Sequence, residues 1–161
     1  MKLSLIIFVC ILTSCSLANL DSKRYRLYQL SDMDISLQNY YGNDLKRISP
    51  GVVCGNFKMK KNKVGCFQLL VDSRHGKVTK LIYDEFSEDT RIELFEFDPP
   101  VDYVFIEKIY DSKLETSDVL SEDEEVILET GQPSLRLVFF EKSAAVFYWK
   151  NGAFHKIWTA D

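Results

Sequence analysis

Histidine is scarce in this chain: His75 and His155 are the only two in 161 residues. No His-x-x-x-His spacing occurs, so a zinc-type centre would need ligands gathered from several elements, and no metal site is expected. A Gly-x-Ser-x-Gly elbow and a phosphate-binding glycine loop are also missing, which removes the local signatures of a serine hydrolase and of a nucleotide enzyme. The four cysteines include no Cys-x-x-Cys pair, which argues against dithiol redox catalysis. Carboxylate pairs such as Asp84 with Glu85, or Glu93 with Glu96, are what an acidic surface supplies by chance. The chain therefore reads as a non-enzyme without a cofactor. Basic excess is lacking as well; a net charge of −4 disfavours nucleic acid as a partner. No apolar run approaches the roughly 20 residues of a membrane-spanning helix.

The longest apolar run, Leu3 to Leu12, stands at the start of the chain behind Lys2. Its ten residues would cover about 15 Å as a helix, half of a hydrocarbon core of about 30 Å. The polar stretch Asn19-Leu20-Asp21-Ser22-Lys23-Arg24 follows. This pattern reads as an export signal. Its last residues, Leu12-Thr13-Ser14-Cys15, resemble the lipobox of bacterial lipoproteins. The resemblance implies cleavage before Cys15, acylation of Cys15 (palmitate among the chains) and a lasting hold on the membrane, at about 0.8 kcal/mol per buried CH2. By the same resemblance Ser16 implies sorting to the outer membrane, with the domain facing the periplasm. The competing reading is ordinary secretion, with cleavage after Ala18 in Ser16-Leu17-Ala18. On the lipoprotein reading residues 1–14 are the signal, 15–24 a lipidated tether and 25–161 a single domain. A tether from Ser16 to Arg24 reaches at most about 30 Å.

With Cys10 removed and Cys15 acylated, Cys54 and Cys66 remain, an even pair in an oxidising compartment. Val52 to Phe57 and Val64 to Val71 read as strands around the polar turn Lys58-Met59-Lys60-Lys61-Asn62-Lys63. Folding that hairpin about Lys60 sets Cys54 opposite Cys66, at a position suited to a disulfide. Two buried thiols are the alternative.

About 145 residues remain after processing, enough for one well-filled core. Aromatic residues make up 13% of the chain, and turn-forming residues recur at short intervals, which points to a β-rich fold. Tyr25 to Tyr41 is the one helical candidate, with Asp32 or Asp34 as cap and Gly42 as stop. Further strands are expected at Val78 to Tyr83, Arg91 to Phe97 (stopped by Asp98-Pro99-Pro100), Tyr103 to Tyr110, Val126 to Leu128, Leu135 to Phe140, Ala144 to Trp149 and Ala153 to Trp158. Asn151-Gly152 suits a type I′ turn, which needs positive φ at both central residues. Consecutive hairpins predict a mainly β fold: an antiparallel meander, arranged as a twisted sheet, a sandwich or a partial propeller, with a short N-terminal helical region.

In the last hairpin that turn sets Trp149 against Phe154, Phe147 against Lys156 and Ala145 against Trp158. Val146 against Ile157 and Tyr148 against His155 take the other face. Both faces carry apolar bulk, so the pair is either buried on two sides or offers an aromatic surface, with Tyr148, Trp149 and Phe154 as candidate contacts for a partner. From Glu115 to Glu129 there are seven acids and no base. Glu122, Asp123, Glu124 and Glu125 form its centre; such a run is commonly an exposed loop, and it can also steer a cationic partner.

The segment Val53-Cys54-Gly55-Asn56-Phe57 through Phe67-Gln68-Leu69-Leu70-Val71 resembles one degenerate β repeat of the FG-GAP or VCBS type. The tail Tyr148-Trp149-Lys150-Asn151-Gly152-Ala153-Phe154 is similar to the closing hairpin of small envelope lipoproteins that carry such repeats. Some proteins of that general type act as periplasmic inhibitors or immunity proteins against cell-wall hydrolases. The resemblance thus implies a protein-binding module that blocks a secreted hydrolase or toxin. A structural or assembly lipoprotein, and a cell-wall or sugar-binding module, are the alternatives. Where a calcium loop would place aspartates, this chain has Lys58, Lys60, Lys61 and Lys63, which repel a cation, so calcium is not carried over. The lysines read as a solvated hairpin tip, or as a contact for anionic lipid or a cell-wall polymer.

Overall fold

Beyond Gly51 the described segments rich in β-branched, aromatic and other apolar residues pair into antiparallel ladders, the central ones buried on both faces. The computed structural model describes residues 23–33, 35, 38–39, 50–61, 63–85, 90–115, 125–129, 131–140 and 143–159. Residues 1–22, with the expected signal, Cys15 and most of the expected tether, lie outside them, as do Glu122, Asp123 and Glu124. The strands are β1 (Tyr25–Leu27), β2 (Val52–Gly55), β3 (Gly65–Asp72), β4 (Lys77–Glu85), β5 (Thr90–Val101), β6 (Val104–Ile109), β7 (Lys113–Glu115), β8 (Glu125–Ile127), β9 (Ser134–Phe139), β10 (Ser143–Lys150) and β11 (Ala153–Thr159).

The first sheet runs β1-β3-β4-β5, with β2 also on β3. β1 takes residues 70–72 of β3 and β2 takes residues 65–68, so two short strands share one edge of β3. The second sheet runs β11-β10-β9-β6, and β7 pairs β8 in a separate ribbon. The two sheets pack face to face. Phe67, Leu69, Leu81 and Tyr83 of the first meet Ile106, Leu135, Leu137 and Phe147 of the second in the main core. On one flank Pro50 and Cys54 accept hydrogen bonds from Ile106 N–H (3.2 Å) and Lys108 Nζ (3.2 Å). On the other, Phe95 and Trp158 rings lie 6.4 Å apart. The architecture is an antiparallel β sandwich, one of the arrangements expected.

Several registers follow the pairing rules. Trp149 faces Phe154, Tyr148 faces His155, and Ala145 faces Trp158. Asn151 and Gly152 adopt φ of 52° and 83°, the positive pair that the tight turn requires. Cys54 faces Cys66 across β2 and β3, with Cα atoms 4.1 Å apart, and the two are bonded as a disulfide.

Four expectations are corrected. Tyr25 to Leu27 is a strand rather than helix, because its apolar–charged–apolar alternation suits the free edge of β3; Leu30–Asp32 then forms a 3-10 turn, Ile35, Gln38 and Asn39 are helical, and the rest of the expected helical segment, Asp34 included, lies outside the described residues. Asp32 does not open an α-helix there. Its carboxylate accepts from Gln29 N–H (2.9 Å) and from Arg26 (2.5 and 2.6 Å). Asp98-Pro99-Pro100 does not end β5, because β5 is an edge strand, where a missing N–H leaves no ladder bond unmade. The extra residues bulge out: Val78 pairs Val101 while Lys80 already pairs Glu96. The meander is interrupted, since β6 pairs β9 and skips the ribbon. That ribbon includes Lys113–Glu115, which had no strand signal, and its partner β8 takes up the acidic Glu125.

Candidate functional site

The period of β4 carries Leu81, Tyr83 and Glu85 to the inner face, so a carboxylate ends a line of core side chains. Glu85 is fully buried. An isolated buried carboxylate would cost several kcal/mol, so a cation must come to it. Lys58, one residue past the buried Phe57, supplies that cation: its Nζ lies 2.5 Å from Glu85 Oε2. Lys63 approaches the other oxygen at 3.8 Å. Burial pushes the Glu85 pKa up, but the Lys58 hydrogen bond and the charges of Lys58, Lys63 and Lys60 prevail and hold it below the usual carboxylate value.

Aromatic rings enclose the same ammonium. Lys58 Nζ sits 4.8 Å from the Trp149 ring centroid and 5.2 Å from that of Tyr83, both within cation–π range. Phe154 packs on Trp149 (4.9 Å) and on Tyr83 (4.6 Å). Burial, and then the nearby charge of Glu85, drive the Tyr83 phenol pKa well above its ordinary value. Gly65 is required here, because a Cβ at that position would collide with the Tyr83 hydroxyl.

Above this floor lies a cleft of about 370 Å³. Lys58 and Met59 of the β2–β3 turn form one wall, and Trp149, Lys150 and Asn151 of the β10–β11 turn another. Ile127 and Leu128 from β8 and its end, followed by Glu129 and Gln132, complete it. Gln132 is largely buried and donates its amide Nε2 to the Trp149 carbonyl at 2.6 Å, which fixes the β8–β9 connection to the hairpin. Met59 and Ile127 are exposed, so the cleft lining sets two accessible apolar side chains among Lys58, Glu129 and Lys150.

The residues proposed from sequence are partly gathered here. Trp149 walls the cleft, and Phe154 supports it from behind. Tyr148 points the opposite way: it is buried with Val146 beneath Leu114 and Leu128 of the ribbon, and its ring stacks on His155 at 5.6 Å. The last hairpin is thus packed on both faces. Glu125 begins β8, whereas the rest of the acidic centre lies outside the described residues. Cys54 is exposed and Cys66 buried, so the disulfide lies on the outer face of the first sheet, away from the cleft. Lys58 departs from the solvated-tip reading. Sequence reasoning missed the Lys58–Glu85 pair, although the period of Leu81-Tyr83-Glu85 pointed inward and Phe57 placed Lys58 beside the core.

Among the described residues no cluster of three or more His, Cys, Asp or Glu could hold a metal ion, and no helix is long and apolar enough to cross a membrane. No protein-family model, curated protein or solved structure matches the chain.

Proposed function

We propose that this chain is an exported, lipid-anchored β-sandwich that binds a protein in the bacterial envelope, acting as an inhibitor or immunity protein against a secreted hydrolase or toxin. The observation that carries this reading is the separation of two poles. The described chain begins beside the end of β3, where Arg24 O accepts from Ser73 N–H at 2.8 Å and Tyr25 pairs Asp72. The cleft lies at the other end of β3, beyond Gly65. Eight residues of strand separate them by roughly 25 Å. On this reading the tether joins the domain at Lys23, at the pole opposite the cleft, so the anchor does not occupy the cleft's end of the domain. The Cys54–Cys66 disulfide fits the same compartment, since such bonds persist where the milieu is oxidising.

Mass spectrometry of the mature N-terminus tests the anchor. A diacyl or triacyl Cys15 is expected, and unmodified chain cleaved after Ala18 would remove the lipoprotein half of the proposal. For the partner, the full chain serves as bait in envelope extracts. Recovery of one hydrolase whose activity falls on mixing supports inhibition, whereas recovery of assembly components alone would replace it with a structural role.

A further inference from the structure

We propose that the cleft receives an acidic segment of the partner protein, seating one apolar side chain between Met59, Ile127 and Trp149 while flanking carboxylates meet the lysines at its rim. This rests on the reading of the chain as a protein-binding domain and supplies the surface and the chemistry of the partner.

Two apolar side chains at the cleft are unusually exposed. Met59 is 46% and Ile127 59% exposed, large for apolar side chains that line one cleft together with buried Leu128. About 370 Å³ accommodates a side chain and its immediate neighbours, the scale of a single anchoring contact rather than of a flat interface. Gln132 adds direction. With Nε2 committed to the Trp149 carbonyl, its amide oxygen remains an acceptor suited to a backbone N–H of an extended segment.

Charge at the cleft differs from that of the chain as a whole. The whole chain carries −4, yet Lys58 and Lys150 line the cleft beside Glu129, and Lys60, Lys61 and Lys63 follow Lys58 on the same turn. Lys58 is committed to Glu85, while Lys60, Lys61 and Lys150 are exposed. At physiological salt the screening length is about 8 Å, so a ligand in the cleft responds chiefly to the charges that line it and to the lysines of the adjoining turn. A concave pocket at the pole away from the tether favours a protruding protein segment over a flat anionic bilayer.

The test is an NMR titration of the full chain with a blocked peptide that has one central phenylalanine flanked by glutamates. Controls are the same peptide with lysines for glutamates, and vesicles containing anionic lipid. The glutamate peptide is expected to shift the Trp149 indole and Gln132 amide resonances, to weaken with added salt, and to outcompete the lysine peptide. Ile127→Ser with Lys150→Glu, both at exposed positions, should weaken binding about tenfold without moving the thermal midpoint much. Equal binding of the lysine peptide, shifts confined to other surfaces, or the same resonances responding only to vesicles would overturn the assignment. If a captured hydrolase is inhibited equally by the double variant, the cleft is wrong and the inhibitor reading stands. If no protein is captured while the peptide still binds as described, the cleft chemistry holds and the inhibitor reading falls.

Discussion

At the scale of single residues, Glu85 and Lys58 show how a buried charge is tolerated. Each is expensive alone, and together they cap the core beneath the cleft. Lys58→Met leaves a buried carboxylate without its main partner and should lower the unfolding free energy by about 3 kcal/mol in urea titrations. Adding Glu85→Leu should restore much of that loss, because the uncompensated charge goes with it. The pair also gives a pH dependence of defined sign. The folded Glu85 pKa is depressed below that of the unfolded chain, so its stabilisation is complete above the unfolded carboxylate range, near 4.3 on average. It is lost as pH falls through the lower folded value. Urea midpoints measured from pH 6 downward should show this acid limb in the wild type and a shallower one in Glu85→Gln. Gly65 is the other sensitive position. Gly65→Ala drives a methyl into the Tyr83 hydroxyl and should destabilise by about 2 kcal/mol, and a shift in Tyr83 near-ultraviolet circular dichroism would report the displaced ring.

At the scale of elements, two hairpins anchor the cleft by different means. The β2–β3 hairpin is short, and its disulfide closes a separation of twelve residues. Restricting the unfolded chain in this way contributes about 3 kcal/mol, so Cys54→Ser with Cys66→Ala should lose about that much in denaturant titrations. The β10–β11 hairpin relies on backbone geometry. Asn151→Val places a β-branched residue at φ of 52° and should cost about 1–2 kcal/mol, read as a fall in thermal midpoint. Both hairpins were legible in the sequence, down to the facing residues, because turn chemistry and a two-residue period act over neighbouring positions. β1 and β7 were not. Three residues give too short a pattern, and each becomes a strand only because a free edge is available beside it. The proline pair in β5 misled for the same reason, since whether a proline interrupts a strand depends on which edge faces solvent.

For the whole molecule, the arrangement of layers decides which candidate residues can serve a partner. Ribbon β7–β8 covers the outer face of β10, so Tyr148 is spent on internal packing while Trp149, its neighbour, reaches the cleft. Leu114→Ala should therefore destabilise by about 2–3 kcal/mol and raise hydrogen exchange in β10, reflecting a loosened cover over Val146 and Tyr148. The ribbon and its end also carry Ile127 and Leu128 to the cleft, beside Lys58 and Met59 of the basic turn.

Local chemistry written in the sequence determined the β class, the facing cysteines, the tight turn at Asn151-Gly152 and the register of the last hairpin, since each depends on residues close along the chain. Tertiary structure decided the rest: that two sheets pack as a sandwich, that Lys58 turns inward to Glu85, that Tyr148 is covered, and that the cleft opens at the pole opposite the described N-terminal strand. These depend on contacts between segments far apart in sequence, whose pairing is selected by shape and burial rather than by any local signal.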